Sequence, residues 1–86
     1  MYKILYKKSV EKELIKLPKS ILKAIIAKIQ KLATGPKPNG SVKLRGSTNL
    51  YRIRHSDYRI IYSINDGKLL IIVIKVAHRK EVYRDY

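Results

Sequence analysis

Residues 50–78 read LYRIRHSDYRIIYSINDGKLLIIVIKVAH, and this stretch decides the fold. Side chains alternate in polarity over residues 50–55 and again over 58–64, which is the period-two pattern of half-buried strands. Residues 68–77 form a long apolar run rich in β-branched side chains. Because this run is apolar on both faces, it predicts an interior strand that helices cover on one side. The stretch therefore predicts a three-stranded antiparallel meander.

Turn residues separate the three predicted strands. Asn65-Asp66-Gly67 predicts a three-residue hairpin loop in which Gly67 takes the left-handed conformation. Ser56-Asp57 predicts a two-residue turn, although neither residue is glycine. The two loop lengths set the register of the meander, because side chains alternate between faces along each strand.

Strand parity then predicts a cluster of cations on one face of the meander. Arg52 and Arg54 point to the same side, and the two-residue turn sets Arg54 across from Arg59. A three-residue second turn places Lys75, and Arg79 just beyond the strand, on that side as well. Like charges that face each other destabilise a sheet, so their accumulation favours a surface that binds phosphate.

The first half of the chain predicts a strand and two helices. Residues 2–6 alternate, and apolar side chains then recur at helical spacing on each side of Pro18. The expected fold is a single α+β domain over residues 1–86, in which an N-terminal strand, a helical hairpin and the meander form one twisted sheet. The apolar helix stripes consist of Val10, Leu14, Leu17, Ile21, Ile25, Ile29 and Leu32.

Residues 34–48 connect the predicted helices to the meander. They contain Gly and Pro breaks and little periodicity, and so long a connection is uncommon in a small domain unless it is functional. Residues 42–44 are expected to add a short extended piece.

Charge and composition point to a polyanionic partner. The chain carries 20 Lys and Arg against six Asp and Glu, a formal net charge of +14. Solubility needs a net charge of only about 2–8 on a small domain. A field of this sign attracts polyanions, which favours nucleic acid over an acidic membrane or protein. The absence of cysteine and of any membrane-length apolar run predicts a cytoplasmic protein that does not bind membranes.

The strand residues also resemble a known family. Residues 51–83, YRIRHSDYRIIYSINDGKLLIIVIKVAHRKEVY, are similar to the C-terminal half of RelE/ParE-superfamily toxins, and the KLRG at 43–46 matches the same family. The ending HRKEVY resembles the RelE ribonucleases. The resemblance implies a twisted antiparallel sheet packed on a helical hairpin. It also implies a type II toxin that enters the ribosomal A site and cleaves mRNA there.

The resemblance assigns roles residue by residue. It implies that Arg52 and Arg54 meet the scissile phosphate, that Arg59 and Arg79 stabilise its charge, and that Tyr83 stacks on a base and acts as general base. His78, which departs from the family pattern but whose imidazole could titrate beside the site, and Lys75, which strand parity places with the arginines, are predicted accessory residues. Lys43 and Arg45 are predicted to bind the substrate.

The expected chemistry needs neither metal nor cofactor. RNA supplies its own nucleophile, the 2′-hydroxyl, while a base accepts its proton and cations neutralise the phosphorane. The six acidic residues show no paired-carboxylate spacing, which argues against a two-metal nuclease. Tyr83 and His78 both remain candidates for the base. A pair of His55 with His78 is a weaker alternative, because parity places His55 opposite the arginines.

Two other functions keep the same fold and charge. One is a ParE-like toxin that inhibits gyrase, and the other is a catalytically inactive RNA-binding relative. The expected partners of the nuclease are an acidic antitoxin, the 30S A site of the ribosome and mRNA.

Overall fold

A computed structural model of the chain describes residues 1–78. Arg79 and Tyr83, two of the predicted site residues, therefore lie outside the described residues. No helix within this part of the chain is long and apolar enough to cross a membrane. The elements are β1 (Lys3–Tyr6), α1 (Lys8–Ile15), α2 (Lys19–Gln30) with a following 3-10 turn (Lys31–Ala33), β2 (Val42–Lys43), β3 (Leu50–His55), β4 (Tyr58–Asn65) and β5 (Leu70–His78).

The five strands form one sheet in the order β1-β5-β4-β3-β2. The meander β3-β4-β5 is antiparallel, as predicted, and β2 is the expected short extended piece. The antiparallel sheet that the resemblance implies holds for β2 to β5, whereas β1 pairs with β5 in parallel. A parallel neighbour requires a long crossover, and the helical hairpin lies in the chain between these two strands. As predicted, β5 is an interior strand.

The helices cover one face of the sheet and form the core with it. Val10, Leu14, Ile25, Ile29 and Leu32 are buried, which confirms the predicted helix stripes. Their partners on the sheet are Ile53, Ile60, Tyr62, Ile64, Ile71, Val73 and Val76. This face of the sheet is called the helix face below.

The β4–β5 turn differs from the prediction. Asn65 pairs with Leu70, so the loop has four residues, and Leu69 rather than Gly67 takes a left-handed conformation, with a φ of 50°. The side chain of Asn65 accepts a hydrogen bond from the backbone N–H of Lys68 at 3.0 Å. This local bond favours the longer loop, because an Asn side chain can replace a backbone acceptor in a turn.

A β-bulge in β5 then reverses the strand's parity. Tyr62 pairs with Val73 but Ile61 pairs with Lys75, which leaves Ile74 as the extra residue. Before the bulge the odd position Val73 faces the helices, and after it Val76 does. The one-residue bulge therefore cancels the change of parity that the four-residue loop causes. As a result Lys75 lies on the same face as Ile61, as the sequence predicts.

Glu13 covers the part of β5 that extends beyond β1. Its Oε1 accepts a hydrogen bond from the backbone N–H of Val76 at 3.1 Å, and its Oε2 lies 4.0 Å from Lys75 Nζ. Because β1 ends at Tyr6, no residue of β1 lies beside the backbone N–H of Val76. The Glu13 side chain supplies the acceptor that a neighbouring strand would otherwise provide.

The substitutions Glu13→Ala and Glu13→Gln test this contact. The alanine variant leaves the part-buried N–H of Val76 without its acceptor, so we expect it to lower the free energy of unfolding by about 1–3 kcal/mol. The glutamine variant keeps the acceptor and should lose less than about 1 kcal/mol. Urea unfolding at neutral pH measures both. Equal losses in the two variants would show that the charge, and not the acceptor, matters.

Tyr62 fixes the long loop to the sheet. Its fully buried hydroxyl donates to the carbonyl oxygen of Pro36 at 2.6 Å, and its ring stacks on Tyr51 with centroids 6.1 Å apart. Lys37 Nζ in turn lies 5.3 Å from the centre of the Tyr51 ring. Burial raises the pKa of Tyr62 to about 12, an effect that a hydrogen bond with Ser41 partly offsets.

Removing this hydroxyl should weaken the fold and change its response to alkali. We expect Tyr62→Phe to lower the free energy of unfolding by about 1 kcal/mol at neutral pH. Because the pKa of Tyr62 is higher in the folded state than the usual value of 10, its contribution is complete below pH 10 and disappears as the pH rises towards 12. Urea titrations between pH 7 and pH 12 should therefore show a smaller alkaline decline in Tyr62→Phe than in the parent.

Tyr58→Phe is the matched control, since the Tyr58 hydroxyl has no hydrogen-bond partner among the described residues. If the two variants declined in parallel with the parent up to pH 12, the buried phenol of Tyr62 would not be the group that titrates.

Candidate nucleic-acid interface

Four cations share the face of the sheet opposite the helices. Arg54 pairs directly with Arg59, while Arg52 and Lys75 both pair with Ile61, one from each neighbouring strand. These four residues define what we call the arginine face. The two-residue turn at Ser56-Asp57 and the bulge in β5 produce this register, and the predicted pairing of Arg54 with Arg59 is confirmed.

Arg59 lies close to the sheet instead of extending away from it. Its Nη1 is 3.4 Å from the carbonyl oxygen of Ser56 and 3.3 Å from that of Tyr58, so the guanidinium folds back over the tight turn. Its Nε is buried and has no hydrogen-bond partner within residues 1–78. Arg52 also has a buried Nε, whereas Arg54 is exposed. The unpaired Nε of Arg59 costs free energy because it is buried without an acceptor, and a phosphate oxygen on this face could accept its hydrogen bond.

A small apolar cluster lies between the cations. Ile61 is fully buried and Ala77 nearly so, and Leu44 and Ile74 pack against them. Leu44 comes from the residues next to β2, so the long loop contributes to this face. Apolar surroundings strengthen the attraction between a guanidinium and a phosphate, because the local dielectric constant is lower than that of water.

The structure does not bring every predicted site residue to the arginine face. Lys43 pairs with Tyr51 on the helix face, and Arg45 lies exposed in the loop beyond β2. His78 pairs with Tyr58 on the helix face, where the two rings meet edge to face with centroids 5.8 Å apart. His55 pairs with the same tyrosine, which confirms that it lies opposite the arginines.

Two helix residues support the strands that carry the cations. Lys28 Nζ in α2 donates to the carbonyl oxygen of Arg54 at 2.5 Å, and Glu13 in α1 holds the backbone beside Lys75. No sequence pattern signals either contact, because each joins residues far apart in the chain. Their effect is to position the backbone of β3 and β5 beneath the arginine face.

The arrangement suits phosphate binding and charge stabilisation. Guanidinium groups donate pairs of hydrogen bonds to phosphate oxygens and stay protonated at all physiological pH values. With Arg54 and Arg59 on adjacent strands, roughly 5 Å apart along the hydrogen-bonding direction, one phosphodiester group can contact both. Such a surface can donate several charge-assisted hydrogen bonds to one phosphate group.

Comparison with known proteins gives a consistent result. The family described as the ParE toxin of the parDE type II toxin-antitoxin system matches residues 4–83. The mRNA interferase toxin RelE of Escherichia coli K12 is 33% identical over 78 residues, which cover 86% of this chain and 81% of that protein. Toxin RelG of Mycobacterium tuberculosis is 27% identical over 84 residues, which cover 96% of this chain and 97% of that protein.

Solved structures of relatives share the fold. In the archaeal RelE–RelB complex from Pyrococcus horikoshii OT3, a chain matches with a TM-score of 0.83 at 33% identity, covering 93% of this chain and 97% of that one. The isolated Escherichia coli RelE toxin matches with a TM-score of 0.80 at 28% identity, covering 91% and 84%. The chain belongs to the RelE/ParE superfamily of type II toxin–antitoxin toxins.

Proposed function

We propose that this toxin is a ribosome-dependent, metal-independent endoribonuclease that cleaves mRNA in the A site. The observation that carries the proposal is the register that places Arg52, Arg54, Arg59 and Lys75 on one face of the sheet. The relatives named mRNA interferase support it. The ribosome supplies an ordered mRNA, and the +14 charge favours contact with ribosomal RNA in the cytoplasm.

The chemistry proceeds within the RNA strand. The 2′-hydroxyl loses its proton to a base and attacks the adjacent phosphorus, and the bond to the 5′-oxygen of the next nucleotide breaks as that oxygen gains a proton. This leaves a 2′,3′-cyclic phosphate and a free 5′-hydroxyl. Arg59 stabilises the phosphorane charge, and Arg52 and Arg54 position the backbone.

The resemblance to RelE ribonucleases assigns the remaining roles to the C-terminal residues. Tyr83 is the proposed base and Arg79 a second phosphate ligand. Nearby arginines favour the phenolate form of a tyrosine, which suits a base that works near neutral pH. His78 is a less suitable base, because it lies on the helix face beside Tyr58.

The proposed partner in the cell is an acidic antitoxin. RelE relatives have been solved as complexes with RelB antitoxins, among them those of Pyrococcus horikoshii and Methanococcus jannaschii. A protein that cuts the cell's own messages requires neutralisation, and the large positive charge favours an acidic inhibitor.

A second candidate function is inhibition of gyrase. The family model that matches this chain is described as the ParE toxin. A toxin of this kind could use the same fold and the same cations to bind gyrase instead of the ribosome. The two functions differ in their products, since only a nuclease creates new transcript ends.

The substitution Arg59→Ala tests the proposed site. Removal of one donor that stabilises transition-state charge should slow cleavage about a hundredfold or more. Arg59→Lys keeps the charge but loses the planar fork, so it should be intermediate. Mapping transcript 5′ ends after induced expression, with and without active translation, measures the rate and the dependence on the ribosome.

Lys23→Ala is the matched control, since it removes one positive charge from an exposed position on α2. Cleavage at the parent's rate by a folded Arg59→Ala variant would remove Arg59 from the mechanism. Absence of new transcript ends in a growth-arrested culture would favour the gyrase alternative.

The C-terminal residues give a separate prediction. We expect Arg79→Ala and Tyr83→Ala each to abolish growth arrest when the toxin is expressed alone, because they remove the phosphate ligand and the base. Tyr83→Phe should be as inactive as the alanine variant if proton transfer is essential, and should retain activity if stacking alone matters. Full toxicity of folded Arg79→Ala and Tyr83→Ala variants would rule out these assignments.

A further inference from the structure

A groove of about 500 Å³ lies between α2, the loop at residues 38–40 and β3. Ala24, Ala27 and Lys28 of α2 form one wall together with Lys31 of the 3-10 turn that follows. Because α2 packs on the helix face, this groove is separate from the proposed cleavage site. Arg54 is the residue that borders both.

The walls of the groove are held in place before any ligand arrives. Tyr62 anchors the loop through Pro36, and Lys28 ties α2 to the backbone of β3 at Arg54. In the loop, Gly40 has a φ of +90° and turns the chain at the groove's edge. A preformed site loses little conformational entropy on binding, which favours affinity.

The lining is positively charged around a small apolar floor. Lys28 and Lys31 border the groove on one wall and His55 borders it on the β3 side, where Ile53 contributes apolar surface. None of the lining residues, all of which belong to residues 1–78, is acidic. An occupant with carboxylates would therefore find complementary charge along the wall that carries Lys28 and Lys31.

The composition of the lining favours a peptide over RNA. Single-stranded RNA binds proteins largely by stacking its bases on aromatic side chains, and the imidazole of His55 is the only aromatic ring among these lining residues. The methyl groups of Ala24 and Ala27 instead allow another polypeptide backbone to approach α2 closely, since the distance between packed elements depends on side-chain size.

We propose that this groove binds an acidic peptide segment of the antitoxin. Small apolar side chains of the segment pack on Ala24 and Ala27, and its carboxylates pair with Lys28 and Lys31. The inference rests on the toxin–antitoxin part of the proposed function and is independent of RNA cleavage. According to this proposal, one segment of the antitoxin binds on the helix face, next to β3, the strand that carries Arg54.

A short synthetic helical peptide of Glu, Ala and Leu residues serves as the probe. Titration into the ¹⁵N-labelled full chain should shift the backbone amide signals of Ala27, Asn39 and Gly40. Lys31→Glu should raise the dissociation constant about tenfold or more, because it puts like charges together. Ala27→Trp should have a similar effect by filling the groove.

Two exposed positions of α2 outside the lining provide matched controls. Lys23→Glu makes the same charge change as Lys31→Glu, and Gln30→Trp adds the same bulk as Ala27→Trp. The dissociation constant of the peptide should stay within about threefold of the parent's value in both variants. Thermal unfolding of each variant verifies the fold, and Ala27→Trp decides the test if Lys31→Glu unfolds.

Three outcomes would overturn the proposal. The first is an equal loss of peptide affinity in Lys31→Glu and Lys23→Glu, which would indicate non-specific electrostatic attraction. The second is amide shifts confined to residues outside the groove. The third is tighter binding of a single-stranded RNA to the same amides, which would make the groove a nucleic-acid site. Transcript mapping of the same variants tests cleavage separately, so a failure here leaves the proposed nuclease function standing.

Discussion

The bulge at Ile74 determines which side chains of β5 enter the core and which join the arginine face. Without it, the four-residue turn after β4 would keep the odd positions of the whole strand under the helices. Lys75 would then have to be buried in an apolar core, where an unpaired ammonium group is strongly disfavoured. The single extra residue lets Val73 and Val76 both pack against the helices while Lys75 points to the other side.

The helix face supplies the stability that the arginine face lacks. Arg54 and Arg59 oppose each other on adjacent strands, and such like-charge pairs weaken a sheet. On the other side of the same strands, Ile53 and Ile60 are buried against the helices, and Tyr62 lies with them. Burial of these side chains contributes about 1.5–3 kcal/mol each, more than a cross-strand repulsion removes. The sheet can therefore carry two opposed arginines on its other face.

A few polar contacts connect distant parts of the chain and hold the functional surfaces in position. Glu13 satisfies the backbone of β5 at Val76, and Lys28 does the same for β3 at Arg54. Tyr62 holds the long loop through Pro36. The loop thereby shapes both the apolar cluster beside the arginines, through Leu44, and the groove on the other side of the sheet, through Gly40.

The sequence by itself determined the element order, the helix stripes and the pairing of Arg54 with Arg59, because these depend on local periodicity and on a two-residue turn. It also determined the charge and the resemblance that led to the superfamily. Only the tertiary structure decided the parallel pairing of β1 with β5, the bulge at Ile74 and the place of His78 beside Tyr58. These features arise from packing between residues far apart in the chain, which alternation along one strand does not encode.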